Sequence, residues 1–302
     1  MSTTDLSLTE RERERPMPQL SRAGFEPRAL KSGLLTGFTW LAAGLAAVPL
    51  ISVIYMLAVQ GGARLFGADF LEVLTGLPPA GFEQGGGIGP AIVGTLAMVA
   101  IASAISIPIG VLAAIYNGVL EPRSRLASTS RFLAKVLTGV PSIMAGVFVY
   151  AVLVKYWGYS AWAGGIALSV LMLRTVALAA EEAMAQVPQR MKDAAYGMGC
   201  TRTQVIWKVV LPTGLPGIMT GVLLAVAGAA GESAPLLFTA LFSNYFISQL
   251  SEPTASLSIL IYNFSGMPFA NQIELAWTAS LVLVLMVLGF NVLARLIGQP
   301  KF

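Results

Sequence analysis

The sequence has no histidine and a single cysteine among its 302 residues, and only 11% of the residues are charged. Without histidine there is no histidine-ligated metal site, no serine–histidine triad and no imidazole proton shuttle. Cys200 cannot form a disulfide within the chain, and we interpret it as a reduced cytoplasmic thiol without chemistry of its own. Soluble domains carry about 25% charged residues, so the composition excludes a soluble protein.

The sequence also lacks a nucleotide-binding motif of the form G-x-x-x-x-G-K-[ST], because no glycines precede Lys31 and Ser32 at the required spacing. Any ATP that drives this protein must therefore be hydrolysed by another subunit. The net charge of +4 arises from short basic clusters between long apolar stretches, which argues against nucleic-acid binding. With 56% apolar residues, the chain is predicted to lie in a membrane.

Long uncharged apolar stretches predict six membrane-spanning helices, because about 20 apolar residues in a helix cross a hydrocarbon core of about 30 Å. The predicted spans are residues 33–59, 92–119, 136–154, 161–180, 215–242 and 275–294. The uncharged stretch 253–273 is also long enough, but its prolines, asparagines and glutamine favour a loop or a re-entrant segment. We therefore predict an all-α integral membrane protein with six transmembrane helices.

Lysine and arginine concentrate in alternate connections, which predicts the orientation of the spans. If the N-terminus is inside, the cytoplasmic side holds the basic residues of 11–31, 123–131, 190–208 and 295–301, against Arg64 and Lys155 outside. Both termini are therefore expected to be cytoplasmic. Residues 1–30 alternate glutamate with arginine and lack the apolar core of a cleaved signal peptide. Their composition favours a disordered tail over a short charged helix.

The longest cytoplasmic connection, residues 181–214, reads as two short helices joined by a tight turn. Gly199 can take a left-handed conformation after the first helix. Thr201 and Gln204 have the spacing of a capping box that opens the second helix, which Pro212 is expected to limit. The alternative is an amphipathic loop lying on lipid headgroups. Four small residues would let another protein approach closely: Ala194, Ala195, Gly197 and Gly199.

This connection resembles the EAA loop of ABC-transporter permeases, with Asp for Glu and Val for Ile at two positions. The residues that carry the likeness are Asp193, Ala194, Ala195, Gly199, Val209, Leu211 and Pro212. Four further segments resemble PstA-type permeases of phosphate importers: GGIGPAIVGT at 86–95, PIGVLAAIY at 108–116, LTGVPSIMAG at 137–146 and GESAPLLFTAL at 231–241. The resemblance covers residues 86–297; the EAA loop alone indicates an importer permease, and the 231–241 segment indicates phosphate.

The resemblance implies a type I ABC importer permease of a bacterial inner membrane. It implies as partners a PstC-type permease, two PstB-type ATPase subunits, a periplasmic phosphate-binding protein and membrane lipid. ATP and magnesium would be bound by the ATPase subunits, and no cofactor by this chain. It also implies that the EAA loop contacts an ATPase subunit through Asp193, Ala194, Ala195, Gly199, Cys200, Thr201, Leu211 and Pro212.

Two charged residues lie within predicted spans, where a charge at mid-bilayer costs about 2.5 to 3.5 kcal/mol. Glu232, followed by Ser233, lies about 17 residues into the fifth span, by the sequence count. It could pair with a cation of the partner permease as a gate, stay protonated and donate a hydrogen bond, or bond to a neighbouring span. Arg174 could bind an oxyanion bidentately or reach the cytoplasmic interface along its own stem. These three residues are the candidates for a translocation path.

The chain departs from the PstA-type pattern at two positions. An arginine expected near Leu178 and another near Gly228 are absent, so substrate contacts cannot be transferred directly. A permease for another oxyanion, such as molybdate or sulfate, is therefore an alternative. A secondary transporter would leave the 181–214 loop unexplained and would show inverted repeats, which are not evident. An integral-membrane enzyme would need more convergent charged groups than Glu232 and Arg174.

Overall fold

The computed structural model describes residues 27–67 and 69–297, with side chains described for 30–67 and 69–292. All regular structure within these ranges is helical. The α-helices are α1 Pro27–Met56, α2 Gly62–Leu65, α3 Phe70–Thr75, α4 Gly89–Ile115, α5 Arg125–Gly139, α6 Ser142–Val149, α7 Lys155–Trp157, α8 Ala161–Ala185, α9 Gln189–Gly197, α10 Arg202–Val205, α11 Leu211–Gly231, α12 Ala234–Thr239, α13 Leu257–Ser265 and α14 Ala270–Ile297. The π-helical turns are Leu57–Gly61, Tyr116–Leu120, Tyr150–Val154 and Ile206–Val210.

The described chain forms two units. One is α1 as far as Tyr55, and the other comprises the described residues from Met56 onward. Residues 1–26 of the predicted tail, 1–30, lie outside the described residues. The last residues of the tail belong to α1, which begins at Pro27.

Among the described residues, five helical stretches are long and apolar enough to cross a membrane. They are Leu30–Leu65, Gly89–Leu120, Ala161–Ala185, Arg202–Gly231 and Ala270–Val292. A bent pair, α5 followed by the helical stretch Ser142–Trp157, makes a sixth if it is counted as one span. The re-entrant candidate 253–273 contains α13, whose nine residues extend for only about 14 Å.

The third predicted span, 136–154, is wrong as a straight helix. The chain bends by 106° between α5 and the next helix. Val140 is extended, with ψ 124°, because the ring of Pro141 disfavours the helical conformation in the residue before it. The N-terminus of α5 is capped by the Ser124 side chain, which accepts a hydrogen bond from the Ala127 N–H. Helix α5 is thus a separate amphipathic helix.

The fifth predicted span, 215–242, also differs from the structure. Its helical stretch begins earlier, at Arg202, and ends at Gly231. Glu232 is extended, with ψ 123°, and the short helix α12 begins two residues later at Ala234. Glu232 therefore lies at a helix break and not inside a continuous span.

Small residues bring the helices of the second unit close together. At Gly94 of α4, a Cβ atom would lie 1.9 Å from the Ala255 carbonyl oxygen. At Gly221 of α11, it would lie 2.3 Å from the Cβ of Ala179 in α8. Close backbone approach of this kind stabilises helix packing in lipid, where apolar burial alone drives little association.

Helix α13 is held by polar contacts at its N-terminus. Ser256 caps it by accepting a hydrogen bond from the Ile259 N–H at 3.2 Å. The Leu257 N–H donates to the buried Thr95 hydroxyl at 2.9 Å, which attaches α13 to α4. The Ser258 hydroxyl donates to the Glu232 carbonyl oxygen at 3.0 Å, so α13 also supports the helix break.

Candidate coupling surface and translocation site

The turn between α9 and α10 has the geometry that the sequence predicts. Gly199 has a φ of +84°, a left-handed conformation in which a side chain would be strained. The Gly199 N–H donates to the Tyr196 carbonyl at 2.9 Å, and the Cys200 N–H donates to the Ala195 carbonyl at 3.1 Å. These hydrogen bonds close the end of α9 and direct the chain into α10.

The second helix begins with the predicted capping box. The Thr201 hydroxyl accepts from the Gln204 N–H, and the Gln204 side chain accepts from the Thr201 N–H at 2.9 Å. The prediction that Pro212 limits this helix is wrong. A π-helical turn, Ile206–Val210, joins α10 to α11, and the chain stays helical through Pro212. Residues Arg202–Gly231 therefore form one long stretch.

The structure divides the small residues of this loop between an inner and an outer side. Ala195 is buried and packs against the core of this chain. The prediction that Ala195 lies on the outer surface, open to another protein, is therefore wrong. Asp193 and Ala194 are exposed, and Met198 at the turn is 78% exposed. A Cβ atom at Gly199 would meet nothing within 4 Å, so the turn is open on its outer side.

Of the remaining coupling candidates, two lie partly in the core. Cys200 and Leu211 are half-buried and pack against the main hydrophobic cluster. Thr201 and Pro212 are exposed. The predicted residues are therefore near one another in the loop, but only some of them face outward.

The loop is fixed to the helices that cross the membrane. Val205, Ile206 and Val210 are buried in the same hydrophobic cluster as Met184 and Val187 at the end of α8. This arrangement resists displacement of the loop because moving it alone would expose these side chains. We therefore describe residues 189–205 as an anchored surface with an open tip at 197–199.

Arg202 adds a polar attachment. It donates to the Val119 carbonyl at 3.1 Å and pairs with Glu121 at 3.5 Å. Both partners follow α4, so the beginning of α10 contacts the end of another span.

A second ion pair lies beside this attachment and is more enclosed. Arg131 of α5 pairs with Glu181 of α8 at 2.5 Å, and their side chains are 29% and 20% exposed. Arg131 also donates to the carbonyls of Pro122, at 2.9 Å, and Asn117. One guanidinium thus joins three segments. No sequence pattern predicts this pair, because its members lie 50 residues apart and no local spacing connects them.

Glu232 and Ser233 lie at the break between α11 and α12. Both are half-buried, and the Glu232 carboxylate takes part in no ion pair formed by the described residues. The Ser233 carbonyl accepts from the Leu236 N–H at 3.1 Å. Helix α6 approaches closely here: a Cβ atom at Gly146 would lie 2.6 Å from the Cα of Pro235. The break therefore places Glu232 in irregular backbone that adjoins α6 and α13.

Arg174 lies on the middle of α8 and faces α5. Its guanidinium donates to the Leu137 carbonyl at 2.6 Å, in the last turn of α5, where a cation is favoured by the helix dipole. No hydrogen bond or ion pair between Arg174 and Glu232 occurs in the described part of the chain. The structure thus gives the two intramembrane charges separate surroundings.

Comparison with known families identifies the class. Residues 106–299 match the family described as "Binding-protein-dependent transport system inner membrane component". This match covers more than half of the chain, including α5, α8 and the anchored loop. Together with the apolar helices, it defines a membrane-spanning permease of a binding-protein-dependent transporter.

Proteins called phosphate transport system permease protein PstA are similar over most of the chain. The protein of Pasteurella multocida is 35% identical over 283 residues, 93% of this chain and 99% of its own length. The PstA protein of Yersinia pestis is 39% identical over 232 residues, which are 76% of this chain and 79% of its own length. A probable PstA protein of Methanocaldococcus jannaschii is 38% identical over 254 residues, which are 83% of this chain and 88% of its own length. The chain therefore belongs to the PstA family of permeases.

Solved structures show the same fold at low sequence identity. An inward-facing MetNI methionine ABC transporter has a TM-score of 0.55 at 20% identity, covering 68% of this chain and 91% of its own. A bacterial ABC transporter for the acidic polysaccharide alginate has a TM-score of 0.53 at 16% identity, covering 89% and 96%. The predicted fold, an all-α ABC importer permease, is confirmed.

Proposed function

We propose that this chain is the transmembrane permease subunit of an ATP-driven importer of inorganic phosphate. The observation that supports phosphate is the similarity to PstA proteins, which extends over 79% to 99% of the length of the three relatives described above. The proposal includes a PstC-type permease, two PstB-type ATPase subunits and a periplasmic phosphate-binding protein as partners. ATP and magnesium would bind to the ATPase subunits and no cofactor to this chain.

We propose that an ATPase subunit docks on the anchored surface, on Asp193 and on the tip residues Met198 and Gly199. Two features support this role. The tip is open, with Met198 78% exposed. Its base is attached through Val205 and Ile206 to the hydrophobic core, so a force on the tip would reach the spans and would not be absorbed by a flexible loop.

The attachment has two routes into the membrane-crossing helices. One is the continuous helical stretch Arg202–Gly231, which leads from the loop to the break at Glu232. The other is polar: Arg202 contacts Val119, and Arg131 connects Asn117 at the end of α4 with Glu181 in α8. We assign the transmission of motion between the docked ATPase subunit and the spans to these two connections.

For the translocation path we propose Glu232 and Ser233. They stand at a helix break next to α6 and α13, and broken helices within membranes are tolerated where backbone faces protein or a water-filled cavity. An ionised Glu232 would repel phosphate, so we assign it to gating, either with a cation of the partner permease or as a hydrogen-bond donor. Arg174, which donates to the Leu137 carbonyl in α5, lies apart from this break and is not assigned to the path.

We propose a bacterial inner-membrane location with both termini in the cytoplasm. This orientation depends on whether the bent pair crosses the membrane, because five spans would leave the termini on opposite sides and six would bring them to the same side. The distribution of lysine and arginine in the sequence supports six. Reporter fusions at the two ends would report the same side if the bent pair crosses.

The function can be tested by uptake of labelled phosphate into vesicles that contain the assembled complex. Uptake should require ATP and should be insensitive to excess sulfate and molybdate. Met198→Asp should abolish uptake and retention of the ATPase subunits, whereas Met267→Asp, at a 42% exposed methionine outside the loop, should preserve both. Uptake of molybdate or sulfate in preference to phosphate would establish the alternative oxyanion, and uptake without ATP would refute the proposal.

The role of Glu232 needs a separate measurement. Glu232→Gln in an assembled complex should abolish phosphate uptake or release ATP hydrolysis from its control by the binding protein. Ser265→Ala, whose hydroxyl bonds only within its own helix turn, is a matched control near the end of α13. Unchanged uptake and unchanged control of hydrolysis would show that the carboxylate has a structural role only.

A further inference from the structure

A crevice of about 350 Å³ opens between α4, α5 and α8. Its walls are mainly aliphatic and include Ile109, Ala113, Leu126, Leu133, Leu173 and Ala177. Arg174 is the single charged residue that lines it. The crevice is therefore an apolar slot with one cation in its wall.

The Arg174 guanidinium is incompletely paired. It donates to the Leu137 carbonyl, but a guanidinium carries five N–H donors and a full positive charge. No carboxylate of the described residues forms an ion pair with it. Donors for an anion thus remain on a cation whose environment is otherwise apolar.

Arg174 lies toward one end of the predicted span 161–180. It is about six residues, about 9 Å, from residue 180, and the acidic residues Glu181 and Glu182 follow directly in α8. A long arginine side chain at this distance can reach the level of the lipid phosphates, and its charge is unfavourable there unless an anion or water neutralises it.

The two polar side chains of the crevice are already engaged. The Thr129 hydroxyl donates to the Arg125 carbonyl, and the Ser130 hydroxyl accepts from the Asn117 amide at 3.0 Å. A free inorganic phosphate would therefore find one cation and otherwise apolar walls. A ligand with an anionic head and an apolar tail satisfies both parts of the site.

The outer surface of α5 suits the same ligand. Phe132 is 64% exposed and Leu126 is 63% exposed, while Arg125 and Lys135 are exposed on the same helix. Apolar and basic groups together on an amphipathic helix favour contact with anionic lipid headgroups.

We propose that this crevice binds an anionic phospholipid, with its phosphate at Arg174 and an acyl chain along the α4–α5–α8 walls. The lipid completes the pairing of the guanidinium and fills the slot between α5 and the spans. It would thereby hold α5 in place beside α8. This site is distinct from the helix break at Glu232.

The test uses the full chain, purified with the subunits that accompany it, from membranes containing phosphatidylglycerol and phosphatidylethanolamine. Lipids retained after delipidation are quantified by mass spectrometry. The wild type should retain phosphatidylglycerol enriched over its share in the membrane. Arg174→Gln should reduce this enrichment about tenfold, the value expected when a charge-assisted hydrogen bond is lost. Arg123→Gln, at an exposed arginine that does not line the crevice, should leave it unchanged.

A second variant separates lipid binding from misfolding. Ala113→Phe fills the crevice and keeps Arg174, so it should also lower the enrichment while the complex remains assembled. Three results would overturn the proposal: equal enrichment in wild type and Arg174→Gln, release of the lipid by millimolar inorganic phosphate, or a wild-type complex with no retained phosphatidylglycerol. The second would assign the site to free phosphate, and the third would mean that another subunit covers the crevice.

Discussion

The Arg131–Glu181 and Arg202–Glu121 ion pairs should contribute very differently to stability. The perturbation is a pair of double-mutant cycles, Arg131→Gln with Glu181→Gln and Arg202→Gln with Glu121→Gln. Arg131 and Glu181 are 2.5 Å apart and 29% and 20% exposed, whereas Arg202 and Glu121 are 3.5 Å apart and 49% and 58% exposed. The second pair is therefore an internal control for the first.

The expected magnitudes follow from this difference in enclosure. Hydrogen bonds to charged groups contribute about 1.5–3 kcal/mol when water is largely excluded, so we expect a coupling energy of about 2 kcal/mol between Arg131 and Glu181. Exposed pairs contribute about 0.2–1 kcal/mol, so Arg202 and Glu121 should couple by less than about 1 kcal/mol. Arg131→Gln should be the most destabilising single change, because it also removes the donors to Asn117 and Pro122.

The assay is thermal denaturation of the purified chain and its accompanying subunits in one detergent. For domains of 150–250 residues, each kcal/mol shifts the Tm by about 2–4 °C. The Arg131–Glu181 cycle should therefore depart from additivity by about 4–8 °C. Additive effects in this cycle, or equal departures in the two cycles, would refute the argument that enclosure makes Arg131 the stronger connection.

Two further changes test local features. Thr95→Val removes the acceptor for the buried Leu257 N–H and should destabilise the protein by about 1–3 kcal/mol. The control Thr39→Val loses only an exposed hydrogen bond within its own helix and should lower the Tm much less. Equal decreases in Tm for the two variants would contradict the assigned role of Thr95. Gly199→Ala should destabilise the protein by about 1 kcal/mol, because Gly199 has a φ of +84°. Gly197→Ala should be neutral or stabilising, because Gly197 lies in equally open space but has no positive φ. Thermal denaturation of both variants tests this difference, and equal Tm values would contradict it.

Features set by local chemistry were predicted well from the sequence. The capping box of Thr201 and Gln204 and the left-handed turn at Gly199 depend on neighbouring residues only, and both occur as expected. The all-α membrane fold follows from long apolar stretches, because hydropathy is a local property of the chain.

Features set by contacts between distant segments were not predicted. The pair of Arg131 and Glu181 and the bond from Arg174 to Leu137 depend on how α5 packs against α8. The third span was misplaced because its boundary was taken from the charge at Lys135, although the bend occurs at Pro141. The prediction that Pro212 ends the second helix was also wrong. The π-helical turn Ile206–Val210 keeps the helical stretch continuous, and no sequence pattern predicts that turn.

The bent pair also has a consequence for biogenesis. The stretch Ser142–Trp157 is only about 24 Å long, shorter than the hydrocarbon core, and is marginal for insertion on its own. Residues 158–160 alone separate it from α8, which is long enough to cross independently. We expect the translocon to release the two as a helical hairpin, so that the longer helix secures the shorter one during synthesis.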